Sequence, residues 1–562
     1  MEGGQEMNND IWAELEASAK QYQNTEEETL FHILKINANT EYGKKYHFSD
    51  IQSIEEFKEM VPITEYENYM EYIERMITGK EENLILAEPL KYYVLSSGTT
   101  GIEKYIPMTE TGIQNYINYT YICGYNSIEA FYHGELENRT LYKGKLFLLN
   151  EIRFRDMECG VKKGLISGAP FELHREKGDL DFNRYTSPEM VLFPEEQMDM
   201  QYLKARFALA CEDVVGISSA YVHQILCLMK YIEKHWKLLV EDIEKGTIHE
   251  SIEISKEKRQ ELMKHISKMP DRAAVLRKEF EQGFEKPIIL RIWKSIKFVM
   301  AISGEAFNKY MTKLVYYMGE IPYHYFVYGA SEGIFGVAHE LDRPDEYILA
   351  SKIGYYEFLP VDIEMNGITL NTCGAKDLEI GKKYELVYTG FSGFYRYRMG
   401  DIIEIKGYYY NAPIVKFCYR RKQMVNIAGE KMDIGSILNV IHYYEEYFGI
   451  DVNDFCIYPD KDSIPGKYVF LLEVDKDTKM DVSYKKRTEK MDYLLKNMNM
   501  DYKDCRELHE IGKPIVHYLK EGTFQRFKET LYMQGKEVGQ HKPVRIIDTE
   551  EKKDFFFHEI LR

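Results

Sequence analysis

Small hydroxyl residues and glycines cluster directly after the strand-like run Tyr92–Leu95. In such a loop, backbone N–H groups and hydroxyls can converge on phosphate oxygens, and a following lysine adds positive charge. The segment lacks the G-x-x-x-x-G-K-[ST] pattern of a Walker loop, and an ordinary polar turn explains it equally well. The candidate phosphate-binding residues are Ser96, Ser97, Gly98, Thr99, Thr100 and Lys104.

A second segment, Tyr328 to Gly333, supports two kinds of chemistry. As Gly329-x-Ser331-x-Gly333 it matches the nucleophile elbow of serine hydrolases, although nothing singles out the acid and histidine of a triad. Alternatively, Tyr328 offers a flat face to a base and Glu332 a ligand to Mg²⁺, which takes few protein carboxylates together with phosphate oxygens. A plain surface turn is the third interpretation.

A third segment runs from Tyr395 to Asp401. A carboxylate that follows Gly400 at the end of a strand suits hydrogen bonding to a ribose diol, and the neighbouring arginines could offset phosphate charge. Two basic stretches, 420–422 and 539–545, look like surface charge when each is seen alone. None of these segments decides the function by itself.

The elements that would position these residues indicate an α/β fold. Between residues 145 and 350, apolar runs such as Leu146–Leu149 alternate with helical segments such as Tyr202–Cys211, which favours a largely buried sheet. Short strands after residue 340 indicate a small antiparallel sheet or barrel. An α+β pattern from about residue 425 indicates a smaller C-terminal domain.

Shorter stretches near the N-terminus predict individual elements. The spacing of apolar residues predicts helices over Ile54–Met60 and Tyr66–Ile77. The apolar runs Leu84–Leu86 and Lys91–Leu95 predict short strands.

Composition excludes several classes of protein. The 562 residues carry 73 Lys plus Arg against 91 Asp plus Glu, a formal net charge of −18, which argues against nucleic-acid binding. Eight scattered cysteines without a C-x-x-C pair indicate reduced thiols, not a disulfide framework or a zinc site. The acidic N-terminus is unlike a signal peptide, and no long uncharged apolar run is present. We therefore expect a soluble, cytoplasmic protein with no membrane partner.

The combination of these segments, in this order, resembles the adenylate-forming superfamily of acyl-CoA synthetases, luciferases and peptide-synthetase adenylation domains. The matching parts are the serine–threonine–glycine loop with its lysine, the Tyr-Gly-x-Ser-Glu turn, and Tyr-Arg-x-Gly-Asp at Tyr397–Asp401. Ile302–Ala306 is similar to the superfamily's glycine segment along the adenine pocket.

Within that superfamily, the chain resembles the Gretchen Hagen three (auxin-responsive) family of acyl acid–amido synthetases nearly end to end. The stretches that carry the likeness are Phe57–Ile63, Leu95–Gly101, Tyr328–Phe335, Tyr395–Asp401, Asn411–Pro413, Phe417–Lys422, Gly522–Phe524 and Gln540–Lys542. Lys542–Arg545 keeps only the outer pair of the Lys-Thr-Pro-Arg found in plant members. Asn426–Lys431 looks more like bacterial relatives, which suggests a bacterial-type member and weakens any transfer of plant-hormone substrates.

The resemblance implies an ATP-dependent ligase of two domains. Residues 1–423 would form an N-terminal adenylate-forming domain of sheets flanked by helices plus a small β-barrel, and 424–562 a mobile α+β lid. The enzyme would convert a carboxylic acid into an acyl adenylate, from which an amine, usually of an amino acid, displaces AMP. The acid pocket would lie on helices near 115–130 and loops near 155–170. Transfer to coenzyme A, a serine hydrolase using Ser331, and a non-catalytic nucleotide-binding relative remain alternatives.

The resemblance also implies a role for each candidate residue. The loop residues and Lys104 would bind the pyrophosphate end of ATP, and Glu332 would bind Mg²⁺. Asp401 would bind the ribose hydroxyls. The remaining implied residues are Tyr328, Gly329, Ser331, Ser303 and Gly304 around adenine, Arg421 at the hinge, and Lys542 on the α-phosphate and the acyl oxygen.

Overall fold

The computed structural model divides the chain into two compact units, 1–96 with 104–418 and 97–103 with 419–562. The residues it describes are 3–97, 103–132, 136, 140–196, 198–302, 304–323, 325–341, 343, 345–361, 371–421, 425, 427, 430, 432, 434–478, 483–507, 510–534 and 543–561.

Helices make up most of the larger unit outside its sheets. Its α-helices are Gly3–Lys20, Tyr22–Asn37, Glu41–Lys45, Ile54–Met60, Met70–Glu74, Glu110–Ile117, Cys123–Phe131, Thr140–Lys143, Ala169–Lys177, Glu189–Leu192, Met200–Ala210, Val222–Lys245, Lys256–Met263, Pro270–Glu281, Ile289–Ile292 and Gly304–Met318. Shorter 3₁₀ turns are Tyr66–Asn68, Ile166–Gly168, Phe182–Arg184 and Ala375–Asp377, and π-helical turns are Arg75–Gly79 and Asn118–Ile122.

A three-stranded parallel sheet forms the centre of the α/β core. Its strands, in spatial order, are Lys145–Leu148, Val214–Tyr221 and Phe298–Ile302. Every residue of Val214–Tyr221 is buried, because helices cover both faces of a parallel sheet. The expectation of a buried sheet among helices is confirmed.

A seven-stranded sheet carries the later candidate segments. In spatial order its strands are Tyr355–Pro360, Lys383–Thr389, Tyr397–Tyr409, Ala412–Arg420, Glu346–Leu349, Gly333–Ala338 and Val327–Ala330. The antiparallel pairs include Tyr328 opposite Gly336 and Val387 opposite Arg398. A further, four-stranded sheet contains Glu103–Thr109, Leu90–Ser97, Lys162–Gly164 and Arg155–Asp156.

The smaller unit is α+β, as the sequence predicts. Its three-stranded sheet has the order Val452–Asp460, Lys467–Val474 and Ile515–Leu519. The first pair is antiparallel and the second is parallel. Its helices are Ile434–Phe448, Tyr484–Met498, Met500–Glu507, Thr523–Met533 and Glu550–His558.

Local chemistry explains where the N-terminal predictions succeed and fail. The helix Ile54–Met60 begins at Ser53, whose hydroxyl accepts from the Glu56 N–H, while the Glu56 carboxylate accepts from the Gln52 N–H. This side-chain capping begins the helix where the sequence predicts. The predicted strand at Leu84–Leu86 is wrong. Its Leu84 carbonyl accepts from the Tyr42 N–H and its Ile85 carbonyl from the Tyr395 hydroxyl, so side-chain and loop contacts replace a strand ladder.

Two further observations concern thiols and membranes. None of the eight cysteines, all of which are among the described residues, forms a disulfide, and Cys123, Cys456 and Cys505 are buried. Among the described residues, no helix combines the length and the apolar character needed to cross a membrane.

Candidate active site

Glu332 lies at the tip of a β-hairpin and yet is buried. The strands Val327–Ala330 and Gly333–Ala338 pair so that Ala330 lies opposite Gly333, which leaves Ser331 and Glu332 as the connecting residues. Glu332 is only 5% exposed, which rules out the plain surface turn. A nucleophile elbow joins a strand to a helix, whereas this segment joins two antiparallel strands, so the hydrolase interpretation is wrong.

The Ser331 hydroxyl fixes this hairpin, named here the Glu332 hairpin, to the strand before the serine–threonine–glycine loop. Ser331 Oγ donates to the Leu95 carbonyl at 3.1 Å. Leu95 directly precedes Ser96 and Ser97, which end the strand Leu90–Ser97. Two segments that are more than 200 residues apart in the sequence are therefore in contact.

Three tyrosines surround the Glu332 carboxylate. The Tyr397 hydroxyl donates to Glu332 Oε1 at 3.3 Å. Besides burial, the charge of Glu332 contributes to raising the pKa of Tyr388 and of Tyr66. The other carboxylate oxygen, Oε2, is buried and has no hydrogen-bond partner within the described part of the chain.

Asp401 is joined to the other strand of the same hairpin. The Tyr328 hydroxyl donates to Asp401 Oδ2 at 3.0 Å, and Asp401 is 2% exposed. The sequence places Asp401 at the end of a strand, and this position is wrong, because the strand Tyr397–Tyr409 continues well beyond it. Gly400 precedes it with a φ of +80°, at a point where the pairing register shifts. Such a bulge re-aims the following side chain, and only glycine adopts that backbone readily.

Lys104 contacts Tyr66, one of the three tyrosines near Glu332. Its ammonium is 4.7 Å from the centroid of the Tyr66 ring, in a cation–π arrangement. The Tyr66 hydroxyl accepts from the Tyr105 N–H at 2.8 Å, which ties Tyr66 to the strand that follows the loop. Gly98, Thr99 and Thr100 lie outside the described residues.

The two arginines near Asp401 are structural. Arg396 donates two hydrogen bonds to Glu357, at 2.9 and 3.0 Å, and Arg398 donates two to Glu385, at 2.8 and 2.9 Å. Both glutamates are 1% exposed, so each carboxylate is buried with its arginine. Arg396 also donates to the Lys58 and Val61 carbonyls. The expectation that these arginines offset phosphate charge is therefore not met.

A separate cavity of about 270 Å³ lies in the larger unit, against the parallel sheet. Nearly all of its lining is apolar or aromatic, and we call it the aromatic cavity. The lining residues are Ile117, Tyr121, Tyr125, Leu146, Leu148, Pro170, Phe171, His174, Leu180, Arg184, Tyr185, Ser218, Phe298, Met300 and Phe326. Tyr121 belongs to the π-helical turn Asn118–Ile122, a local geometry that is frequent at functional sites.

Of the four remaining candidate residues, the structure describes Gly304 and Arg421. Gly304 begins the helix Gly304–Met318. Arg421 is half-buried and belongs to the smaller unit, directly after the strand Ala412–Arg420. Ser303 and Lys542 lie outside the described residues. The roles of these four residues stay predictions.

Sequence reasoning missed the tyrosines that surround Glu332. Tyr388 and Tyr397 lie opposite each other on neighbouring strands, Tyr66 comes from a distant segment, and only the fold brings all three near one carboxylate. Tyr397 begins the Tyr-Arg-x-Gly-Asp motif, so its place in that motif was the one available signal.

Comparison with protein families finds three adjacent matches. The GH3 family N-terminal domain matches residues 12–323, the GH3 family central domain matches 347–420, and the GH3 family C-terminal domain matches 436–551. Together they cover most of the chain.

Individual proteins agree with these matches. The chain is 27% identical over 541 residues to the 4-substituted benzoates-glutamate ligase GH3.12 of Arabidopsis thaliana, covering 92% of each chain. It is 26% identical to the jasmonoyl--L-amino acid synthetase GH3.5 of Oryza sativa subsp. japonica, covering 96% of this chain and 95% of the other.

Solved structures show the same fold. A GH3.15 acyl acid amido synthetase superposes with a TM-score of 0.84 at 23% identity, over 98% of this chain and 96% of the other. A 2-hydroxyisobutyryl-CoA ligase in complex with 2-HIB-AMP gives a TM-score of 0.50 at 10% identity, over 94% and 90%. The expected α/β fold of adenylate-forming enzymes is confirmed.

Proposed function

This chain belongs to the GH3 family, and from that premise we propose that it joins a carboxylic acid to an amino acid by way of an acyl adenylate. A carboxylate oxygen of the acid attacks the α-phosphorus of ATP, and pyrophosphate leaves. The amine nitrogen then attacks the acyl carbon, the bond from that carbon to the AMP oxygen breaks, and AMP leaves. The enzyme is a carbon–nitrogen ligase.

The contact between the Glu332 hairpin and its two neighbours carries this proposal. Ser331 joins the hairpin to the strand that leads into the serine–threonine–glycine loop, and Tyr328 joins it to Asp401. Groups suited to phosphate (Lys104), to a metal ion (Glu332) and to a ribose diol (Asp401) therefore share one part of the larger unit. A single nucleotide presents all three of these chemical features.

In this arrangement each nucleotide group has a chemically matched partner. Ser96, Ser97, Gly98, Thr99, Thr100 and Lys104 bind the β- and γ-phosphates. Asp401 accepts from the ribose hydroxyls, because a carboxylate has about four acceptor sites and can accept from a diol as well as from a protein donor. The remaining contacts, around adenine, come from Tyr328, Gly329, Ser331, Ser303 and Gly304.

Glu332 fits a divalent cation. Its Oε2 is a buried carboxylate oxygen that has no hydrogen-bond partner among the residues described. Burying such an oxygen is unfavourable unless a ligand satisfies it. A single carboxylate together with substrate phosphates is the ligand set that Mg²⁺ commonly takes. Bound there, Mg²⁺ would neutralise phosphate charge as pyrophosphate leaves.

The aromatic cavity fits the body of the acid. Its volume of about 270 Å³ exceeds the roughly 150 Å³ of an apolar cavity that binds benzene, so it has room for a substituted or bicyclic ring. The lining includes Tyr121 and Tyr125, within the helical stretch implied by the resemblance, but no residue from 155–169. Pro170 belongs to the helix Ala169–Lys177 and not to a loop. We assign the cavity to the acid's apolar part and leave the amino acid without a pocket.

Residues 424–562 act as the lid in this proposal, and residues 1–423 hold the nucleotide and the acid. Lys542 contacts the α-phosphate and the acyl oxygen in the first step, with Arg421 contacting the nucleotide from the hinge. Movement of the lid would then let the amine approach, since the two steps need different geometries.

A pyrophosphate-release screen tests the proposal. Aryl, indolyl and fatty acids are crossed with the proteinogenic amino acids and with coenzyme A, and the products are identified by mass spectrometry. We expect release that depends on one class of acid and an N-acyl amino acid as the product. Lys542→Ala should abolish most of that release, and a thioester as the only product would instead identify an acyl-CoA ligase.

A further inference from the structure

The two oxygens of the Glu332 carboxylate are not equivalent. Oε1 accepts from the Tyr397 hydroxyl at 3.3 Å, whereas Oε2 is buried without a hydrogen-bond partner in the described regions. A carboxylate that rotated freely about its last bond would present either oxygen to a ligand. The tyrosine contact therefore selects which oxygen is left for the ligand.

Tyr397 is itself held firmly. Its side chain is 2% exposed, and its ring stacks on Phe394 with centroids 4.8 Å apart and an interplanar angle of 23°. The backbone on both sides is fixed by Thr64, whose N–H donates to the Arg396 carbonyl and whose carbonyl accepts from the Arg398 N–H. The hydroxyl therefore has a fixed position to which the Glu332 side chain must conform.

A second tyrosine nearby provides a natural comparison. Tyr388 is also 2% exposed, and a Cβ atom placed on Gly333, next to Glu332, would lie 3.0 Å from its hydroxyl. That hydroxyl donates to the Ile353 carbonyl at 3.0 Å. Tyr388 thus adds bulk beside the carboxylate, while its hydroxyl donates to a backbone carbonyl.

We propose that Tyr397 is a positioning residue that orients Glu332 for the divalent cation. The inference rests on the proposed function, because it assumes that Glu332 binds a metal–nucleotide complex. Partners that hold a metal-binding carboxylate typically change metal affinity by about 10–100-fold when they are removed. Tyr397 contacts neither the phosphates nor the acid in this scheme, and acts only through Glu332.

The test compares Tyr397→Phe with Tyr388→Phe, which remove the same atom from two equally buried rings. Calorimetry measures binding of Mn²⁺ together with α,β-methylene-ATP, and separately binding of AMP without metal. We expect Tyr397→Phe to weaken Mn²⁺-dependent binding by about 10-fold or more, with AMP affinity unchanged. Tyr388→Phe should leave both affinities at the wild-type value.

A double-mutant cycle with Glu332→Gln separates positioning from general damage. In the Glu332→Gln background, Tyr397→Phe should have no further effect on Mn²⁺-dependent binding. The proposal is overturned if Tyr397→Phe matches Tyr388→Phe, if its effect persists without Glu332, or if the variant does not fold. A wild-type protein that binds no Mn²⁺–nucleotide complex would instead contradict the proposed function.

Discussion

The Glu332 site and the aromatic cavity lie in the same unit but have opposite chemical character, one lined by carboxylates and hydroxyls and the other by apolar and aromatic side chains. Around Glu332, buried carboxylates are held by tyrosine hydroxyls and by contacts between distant strands. The aromatic cavity has only three polar residues in its lining, His174, Arg184 and Ser218, apart from its tyrosines. The first region is suited to handling charge, and the second to recognising shape.

This difference separates two kinds of selectivity. Under the proposed function, charge handling at Glu332 and Asp401 should be the same for every acid, because the nucleotide does not change. Recognition in the aromatic cavity should depend on the size of the acid and should not involve the nucleotide. Changes in the two regions should therefore have effects that differ in kind, and the predictions below test that separation.

The largest effect is expected when the scaffold of the charged region loses an ion pair. Arg396→Ala leaves the buried Glu357 carboxylate without its bidentate partner, and breaking a buried pair in this way costs about 3–5 kcal/mol. Chemical denaturation measures the loss in the free energy of unfolding. Lys382→Ala, which breaks the exposed pair with Glu379, should change it by less than about 1 kcal/mol.

Glu332→Gln should abolish most catalysis, and the loss of rate should be similar for every acid. Loss of one charged group that acts on the reacting phosphates is expected to lower the rate by about 10²–10³, by analogy with oxyanion-hole donors. Acid-dependent ATP–pyrophosphate exchange measures this. The separation of the two regions fails if the loss is large for one acid and absent for another.

Changes in the aromatic cavity should redirect the choice of acid. Ser218→Leu fills space in the cavity and Phe171→Leu opens it, so the two should shift the preference between large and small acids in opposite directions. A difference of one methylene in an apolar pocket is worth about 10–200-fold in kcat/KM. AMP affinity should stay at the wild-type value in both variants. A uniform loss with every acid would show that the cavity does not hold the acid.

The smallest effect concerns a buried carboxylate that has no catalytic role. Burial raises the pKa of Glu26 to about 8, opposed by its hydrogen bond from the Tyr356 N–H. In the unfolded chain a glutamate has a pKa of about 4.3. Between about pH 4.3 and 8 the folded state therefore holds a proton that the unfolded chain has lost, so the free energy of unfolding falls as the pH rises through this range.

Glu26→Gln removes this titration, so its thermal unfolding should depend less on pH. Between pH 6 and 8.5 we expect the wild-type Tm to fall by about 2–4 °C more than that of the variant. Exchange activity should be the same in both proteins, unlike that of Glu332→Gln. Equal pH slopes would show that Glu26 does not titrate in this range.

The comparison also shows what the sequence could reveal. Motifs that are continuous in the chain, such as Tyr328 to Glu332, were recognisable because their function depends on local spacing. The Tyr397–Glu332 contact joins residues 65 positions apart, and it exists only because two strands of the seven-stranded sheet bring them together. Sequence spacing alone carries no signal of that kind.

Prediction failed where tertiary contacts replaced local ones. Leu84–Leu86 has the composition of a strand, but the Tyr42 N–H and the Tyr395 hydroxyl donate hydrogen bonds to two of its carbonyls. Arg396 and Arg398 look like phosphate ligands, but two buried glutamates from other strands pair with them. In each case the deciding partner lies outside the local segment, from 13 positions away for Glu385 and Arg398 to 310 for Ile85 and Tyr395.

Oxygen transfer tests the central claim most directly. The most active acid from the screen, labelled with ¹⁸O in its carboxylate, is incubated with enzyme, ATP and amino acid, and the products are analysed by mass spectrometry. Because the carboxylate oxygen stays on phosphorus when the amine displaces AMP, we predict one ¹⁸O atom in AMP for each amide formed. Label in inorganic phosphate together with ADP, or amide formed with unlabelled AMP, would contradict an acyl adenylate.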